Sequence, residues 1–293
     1  MMILKQIPQT MKRNFAAFII THDRVDSIHT DSALDACGYT GPVYYVVDDK
    51  DPALDAYRRA MPADRLLVFS KDAMEPRIHM ADNFPGQKTT LYAREKVFDF
   101  AEDLGYTHFI LLDDDYSTFS YRLDARGDFC SDIPVKQLDT IFARLCDFLD
   151  ATPTHCIALA QNGDFIGGAQ NPAAVPMLKR KAMNTFVCRT DRYFPFHGRF
   201  NEDVNMYLKN GRLGRLYFTF MPITVIQSPT QSLAGGLTET YLEYGTYVKS
   251  FYSVMHAPSC VKVSVIGQKH QRLHHRIQWR YAVPHIVPPT AKK

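Results

Sequence analysis

The residues best suited to chemistry are three consecutive aspartates, Asp113, Asp114 and Asp115, at the end of the apolar run HFILL. Like charges packed at the mouth of a buried strand cost free energy unless a cation joins them. Side chains alternate along an extended chain, so Asp113 and Asp115 point one way and can share one ion, while Asp114 points the other. Hard carboxylate oxygens favour Mg2+ or Mn2+, which keep several waters and bind through one or two carboxylates plus the phosphates of a substrate. The pattern predicts a metal-diphosphate anchor; a capped turn of solvated acids, the structural alternative, needs fewer than three. A second carboxylate pair, Glu202 and Asp203, stands in HGRFNEDVNMYL. Asn201 is suited to cap a helix with both acids in its first turn, a sufficient structural reason for them. The same place, after a Gly/Arg loop and ahead of a helix returning to a sheet, also suits an acid/base group.

The aspartates need a sheet edge, and the chain supplies one. Strand-like runs at 14–21, 42–47 and 65–70 alternate with helix-like stretches at 27–37 and 52–60. An amphipathic helix at 88–104, with Gly105 as its C-cap, leads directly into the strand that ends in the aspartates. Beyond it come a helix at about 135–150, strands HCIALA, NTFVCR and RLYFTF, a short helix EDVNMYLKN capped by Gly211, a helix from 238, and a strand VKVSVIG before a basic tail. The alternation predicts an α/β fold, with a mixed, mostly parallel central sheet and helices on both faces. Ligands of such sheets bind at the carboxyl ends of the strands, where strand order reverses. No linker or repeat divides the chain, which predicts one domain over 1–293, with a nucleotide-type half at about 14–125 and an acceptor-type half at about 126–293.

Composition excludes other classes. At 293 residues, 46% hydrophobic and 22% charged, the chain is neither disordered nor collagen-like. No apolar run approaches the ~18 to 20 residues of a membrane span, and the first residues lack the apolar region of a signal peptide, so no membrane partner and a cytoplasmic location are expected. The six cysteines form no CxxC pair and read as buried thiols. The net charge of +3 hides an asymmetry: eight of the 34 basic residues follow Glu243, where there is no Asp or Glu. That C-terminal fifth suits a polyanion, nucleic acid or a nucleotide diphosphate; a solvated basic face is the plainer reading.

In order and spacing, FIITHDR, VYYVVDD, LYAREKVFDFAEDLGY, LLDDDY and NEDVNMYL resemble a nucleotide-sugar glycosyltransferase of the GT-A fold. The resemblance implies a UDP-sugar donor whose uridine is contacted by Thr21, Asp23, Arg24 and Asp48. Arg94 would lie near the diphosphate, Asp114 would belong to the same nucleotide-sugar site, and Asp113 and Asp115 would hold Mn2+ or Mg2+. Asp203, with Glu202 beside it, would be the base for the acceptor hydroxyl. Lys249 would help Arg94 and the metal stabilise the leaving diphosphate. A C-terminal His often completes the metal shell in this fold; His256 is the candidate, with His274 and His275 as equal alternatives. Gly167 and Gly168 allow close approach of a sugar, although an ordinary turn explains them as well.

QSLAGGLTETYLEYGTYVKSFYSVMHAPSCVKVSV, followed by HHRIQW and PHIVPP, narrows the resemblance to the TET-associated glycosyltransferase family of phages, over roughly residues 14–288. It implies a hexosyltransferase acting in the host cytoplasm. The sugar of UDP-glucose or a related nucleotide sugar would go to 5-hydroxymethylcytosine in DNA, made by a partner TET/JBP-type dioxygenase. Chemistry on a base usually requires flipping it into a pocket. Arg192, Arg199, Lys269, Arg272, Arg276 and Arg280 are the expected DNA-binding residues, with Tyr193, Phe194, Phe196 and Trp279 either stacking surfaces or core. Three rivals remain: a GT-A enzyme with a protein, lipid or glycan acceptor, a non-catalytic nucleic-acid-binding module, and a phosphohydrolase whose DxDxS nucleophile motif DDDYS superficially matches. That last motif belongs on a first strand rather than mid-chain. The absence of Walker and GxGxxG motifs disfavours P-loop and dinucleotide cofactors.

Overall fold

The computed structural model describes residues 14–165, 178–227, 243–245, 247–266 and 271–282. The first half comprises β1 (Phe15–Ile20), α1 (His29–Ala36), β2 (Val43–Asp48), α2 (Leu54–Ala60), β3 (Leu66–Phe69), α3 (Lys71–Met74), α4 (Leu91–Asp103) and β4 (His108–Asp113). Then come β5 (Tyr116–Leu123), β6 (Phe129–Pro134), α5 (Leu138–Ala151), β7 (Thr154–Gln161), β8 (Leu178–Lys179), β9 (Phe186–Arg189), α6 (Glu202–Arg212) and β10 (Leu216–Gln227). Last are α7 (Val248–His256), β11 (Val261–Ile266), β12 (Arg272–Ile277) and α8 (Trp279–Ala282).

Ten strands form one sheet in the order β3-β2-β1-β4-β9-β7-β10-β5-β6, with β8 beside β10. All but β5, β8 and β9 run in one direction, so the sheet is mixed and mostly parallel as expected. The central strands are apolar at consecutive positions because both of their faces are covered. Ala16, Phe18 and Ile20 of β1, with Phe109 and Leu111 of β4, pack in one core with Leu91, Val97 and Phe98 of α4 and Val204 and Leu208 of α6. Ala17 and Ile19, with Ile110 and Leu112, pack in the other with Leu34 of α1 and Phe142, Leu145 and Leu149 of α5. α4 ends where Gly105 takes φ +74°, its N–H bonded to Glu102 O and that of Tyr106 to Ala101 O, a left-handed stop that any Cβ would strain.

Several expectations change. The hairpin β5–β6 had no clear apolar alternation to announce it, and β12 lies within what reads as a basic tail. α6 passes through Gly211 and stops before Gly214, which holds φ +89°. The helix expected from 238 lies partly outside the described residues; α7 begins at Val248.

Candidate active site

Strand order 3-2-1-4 means that successive strands step one way from β1 and then return to its other side. The reversal leaves a crevice between β1 and β4, which are parallel with Ile20 opposite Asp113. The turn after β1 meets the aspartates after β4 there. Asp114 is buried and faces that turn: its Oδ2 accepts from Thr21 Oγ1 at 2.8 Å and its Oδ1 from Arg24 Nη1 at 2.9 Å. Tyr57 completes the tie, its hydroxyl 2.9 Å from Thr21 Oγ1 and accepting the Arg24 N–H at 2.9 Å. Asp114 thereby fixes the Thr21–Arg24 turn against the strand carrying Asp113.

Asp113 faces α4. Its carboxylate accepts from Arg94 Nη2 at 3.1 Å, and the side chain keeps 24% of its surface exposed. Burial pushes its pKa up to about 7 against the pull of Arg94, with Asp115, Glu202 and Asp114 adding repulsion. Asp115 is raised too, by burial and then by Asp114. A crowded set of carboxylates held against their charge is a donor set that fits a hard divalent cation.

Arg94 links this point to the second carboxylate pair. It is buried, and its Nε donates to Glu202 Oε1 at 2.9 Å. Its guanidinium lies 5.0 Å from the centre of the Phe186 ring. It is thus a buried tie between β4 and α6. Glu202 Oε1 also accepts from Thr90 Oγ1 at 2.7 Å, which commits that carboxylate to structure. Asp203 is different: its Oδ1 accepts the Val204 N–H at 2.7 Å, and among the described residues no side chain donates to it. Burial and the neighbouring Glu202 push its pKa up to about 6.

Lys249 of α7 lies close enough to these acids to feel both, and burial and then Arg272 lower its pKa. Asn201 does not cap α6. It adopts φ +50°, and its Nδ2 reaches Lys249 O at 2.8 Å, Ser253 Oγ at 3.1 Å and His275 Nδ1 at 3.2 Å, pinning the start of α6 to α7 and β12. His256 is not brought to the aspartates. It lies beside Gly198 and His197, and the charges that depress it after burial are Lys209 and His79. The structure therefore corrects its expected place in a metal shell.

Sequence reasoning missed a network at the other end of the crevice. Asp48, at the end of β2, accepts from His22 Nδ1 at 3.1 Å and Lys71 Nζ at 2.8 Å, and His22 is 2.9 Å from Asp51. The Asp23 N–H, at φ +54°, is bonded to Asp51 Oδ2 at 3.0 Å. His22, Asp48 and Asp51 have the spacing of a metal site. The two carboxylates nevertheless hold the imidazole as a cation, its pKa raised to about 9 by Asp48 first and then Asp51. Without a bound metal, the three side chains form an ion network that shapes the turn. Its signal in the sequence is the pairing of THDR with DDKD. A group whose folded pKa is raised stabilises fully below its unfolded pKa, about 6.5, and that stability is lost as pH rises through the folded value, about 9 here. Melting temperatures taken from pH 6.5 to 9.5 should therefore fall less in His22→Gln than in the native chain; identical slopes would remove His22 from the network.

Of the expected DNA-binding residues, Arg199 is corrected. It is 3% exposed, donates to both oxygens of Asp82 at 3.0 to 3.2 Å, and also bonds the carbonyls of Phe84 and Gly86 at 3.0 Å. Arg199→Ala strands the Asp82 charge and should cost about 3 to 5 kcal/mol in denaturant unfolding. Arg192 is likewise engaged, its Nη1 donating at 2.7 Å to the carbonyls of Leu149, Thr152 and Thr154. Phe194 and Phe196 are core, whereas Trp279 is 41% exposed and stacked on Tyr207. Arg272, Arg276 and Arg280 are exposed. Gly167, Gly168 and Lys269 lie outside the described residues.

Similar solved structures include a mycobacterial protein at 12% identity and TM-score 0.48, with 91% of this chain and 84% of that one covered. Glucosyl-3-phosphoglycerate synthase from Mycobacterium tuberculosis, solved with Mg2+ and uridine diphosphate, gives 10% identity and TM-score 0.44 over 91% and 88% of the two chains. Mannosyltransferase PcManGT from Pyrobaculum calidifontis, solved with GDP-mannose and Mn2+, gives 13% and 0.45 over 84% and 66%. No curated protein matches the chain. Among the described residues no helix is long and apolar enough to cross a membrane. The family model described as TET-associated glycosyltransferase matches residues 15–236, a stretch that runs from the first residue of β1 past both carboxylate pairs. By that match the chain belongs to the TET-associated glycosyltransferase family, and its GT-A-like α/β sheet is the scaffold of a glycosyltransferase.

Proposed function

We propose that this enzyme moves a sugar from a UDP-sugar, UDP-glucose or a close relative, to the hydroxyl of 5-hydroxymethylcytosine in DNA. The observation that carries the reading is the arrangement at the β1/β4 crevice, where Arg94 ties the anchor carboxylate Asp113 to the helix bearing Asp203. Asp113 and Asp115 would hold Mn2+ or Mg2+, which when bound neutralises the charge of the departing diphosphate. Thr21, Asp23, Arg24 and Asp48 bind the uridine end in a turn held rigid by Asp114 and the His22 network. Asp203 takes the proton of the hydroxymethyl O–H as that oxygen bonds to the anomeric carbon and the bond from this carbon to the diphosphate oxygen breaks. A base on the acceptor side favours inversion. Lys249 lies where it can offset negative charge beside Asp203. Arg272, Arg276 and Arg280, all exposed, would meet DNA phosphates, and a TET/JBP-type dioxygenase in the same cytoplasm would supply the hydroxymethyl group.

Mass spectrometry of nucleosides tests the acceptor. DNA containing 5-hydroxymethylcytosine, incubated with the protein and a panel of UDP-sugars, should yield a nucleoside heavier by one sugar. No mass gain with any donor, alongside sugar transfer to a protein, lipid or glycan, would move the acceptor to that class.

A further inference from the structure

The chain after residue 236 lies beyond the family match, yet it builds a second sheet of two strands, β11 and β12. The register places Lys262 opposite Arg276, Ser264 opposite His274 and Ile266 opposite Arg272. Directly opposed residues of an antiparallel pair share a face, so one face of this ribbon carries Lys262, Arg276 and Arg272, all three exposed. The other face begins with the buried Val261 and includes His275, which meets Asn201 at the start of α6. Towards the turn that face is open, with Val265 57% and Leu273 40% exposed.

Two features of the ribbon point to a ligand. Like charges directly across a strand pair destabilise it, and no Asp or Glu follows Glu243 to offset Lys262 and Arg276. Arg272 and Arg276 are four residues apart on one strand, which at ~3.4 Å per residue sets Arg272 about 14 Å from the Lys262–Arg276 pair. The major groove of B-DNA is about 12 Å wide, admits a two-stranded β-ribbon, and displays the C5 substituent of a pyrimidine. At the end beside its turn the ribbon comes near the acids: Arg272, His274 and His275 all lie close enough to Lys249 for mutual repulsion, and Lys249 feels Asp203.

Resting on the DNA acceptor reading above, we propose that the β11–β12 hairpin is a ribbon that enters the major groove of duplex DNA. Its basic face straddles the groove against both phosphate backbones, so the acceptor is double-stranded DNA approached from the side on which the hydroxymethyl group is displayed.

Binding of unmodified duplex, without donor, tests the ribbon separately from the reaction. Each phosphate contact contributes about 0.9 to the slope of log K against log salt on a duplex. The double variant K262S/R276S should therefore lower the magnitude of that slope by about two and weaken binding more at low salt than at high. Its melting temperature should not fall, because the substitution removes a repulsive pair. The native chain should bind duplex more tightly than the matching single strand, and a major-groove dye should displace it while a minor-groove ligand does not. An unchanged slope in the folded variant, tighter single-strand binding, or displacement only by the minor-groove ligand overturns the ribbon. Hairpin-dependent duplex binding with no sugar transfer from any donor would leave the ribbon standing and remove the acceptor assignment instead.

Discussion

Asp115→Asn should lower kcat/KM for sugar transfer by about a thousandfold or more while the protein stays folded. A bound cation contributes several kcal/mol to stabilising a departing diphosphate, and ~1.4 kcal/mol is a factor of ten in rate. Asp115 is the clean member of the anchor to remove, since burial and Asp114 already hold its carboxyl above the usual range. Neutralising it relieves repulsion, so the melting temperature should hold or rise. Asp113→Asn should lose activity equally and also lose stability, because the buried Arg94 would lose one of the two carboxylates it pairs with among the described residues. Activity assays set beside calorimetry separate the two. Transfer by Asp115→Asn within tenfold of the native rate would mean that the triple aspartate is a structural turn.

The second large effect distinguishes the two acids of α6. Asp203→Asn should reduce kcat by about 10²- to 10⁴-fold with donor affinity kept, the usual range for losing a general base. In the native enzyme kcat/KM for the acceptor should rise with pH through about 6, where Asp203 loses its proton, and level off above it. Glu202→Gln should behave otherwise. Glu202 accepts from Arg94 and Thr90, so its loss disturbs a buried ion pair and should appear as destabilisation of about 3 to 5 kcal/mol with the acid limb still present. A Glu202 variant that abolishes the limb at unchanged stability would exchange the two roles.

What the sequence disclosed and what it hid follow from range. The continuous apolar run HFILL before DDDYS announces a buried strand and its charged tip by local pattern alone, and the structure puts that tip at the reversal of strand order. Asp114 was legible as pointing away from its neighbours, but not as the clasp on Thr21 and Arg24, a contact across about ninety residues. Arg199 looked like a surface cation because its partner Asp82 stands 117 residues earlier, and nothing near either residue announces the pairing. His22 and Asp51 were passed over for the same reason: each is ordinary in its own segment, and only parallel β1 and β2 bring them together. Asn201 reads as a helix cap by type, but contacts from α7 and β12 take its side chain. β12 was hidden because RLHHRI carries its charges in the positions where a strand usually shows apolar residues.

The central claim is that Asp113 and Asp115 together hold a divalent ion against the diphosphate of the donor, and electron paramagnetic resonance of Mn2+ measures it directly. Titrated in the presence of UDP, the native protein should remove one equivalent of Mn2+ from the free-ion signal, and folded Asp115→Asn should remove far less at the same concentrations. Equal Mn2+ uptake by both proteins, or UDP binding that is indifferent to Mn2+ and to EDTA, would contradict the account.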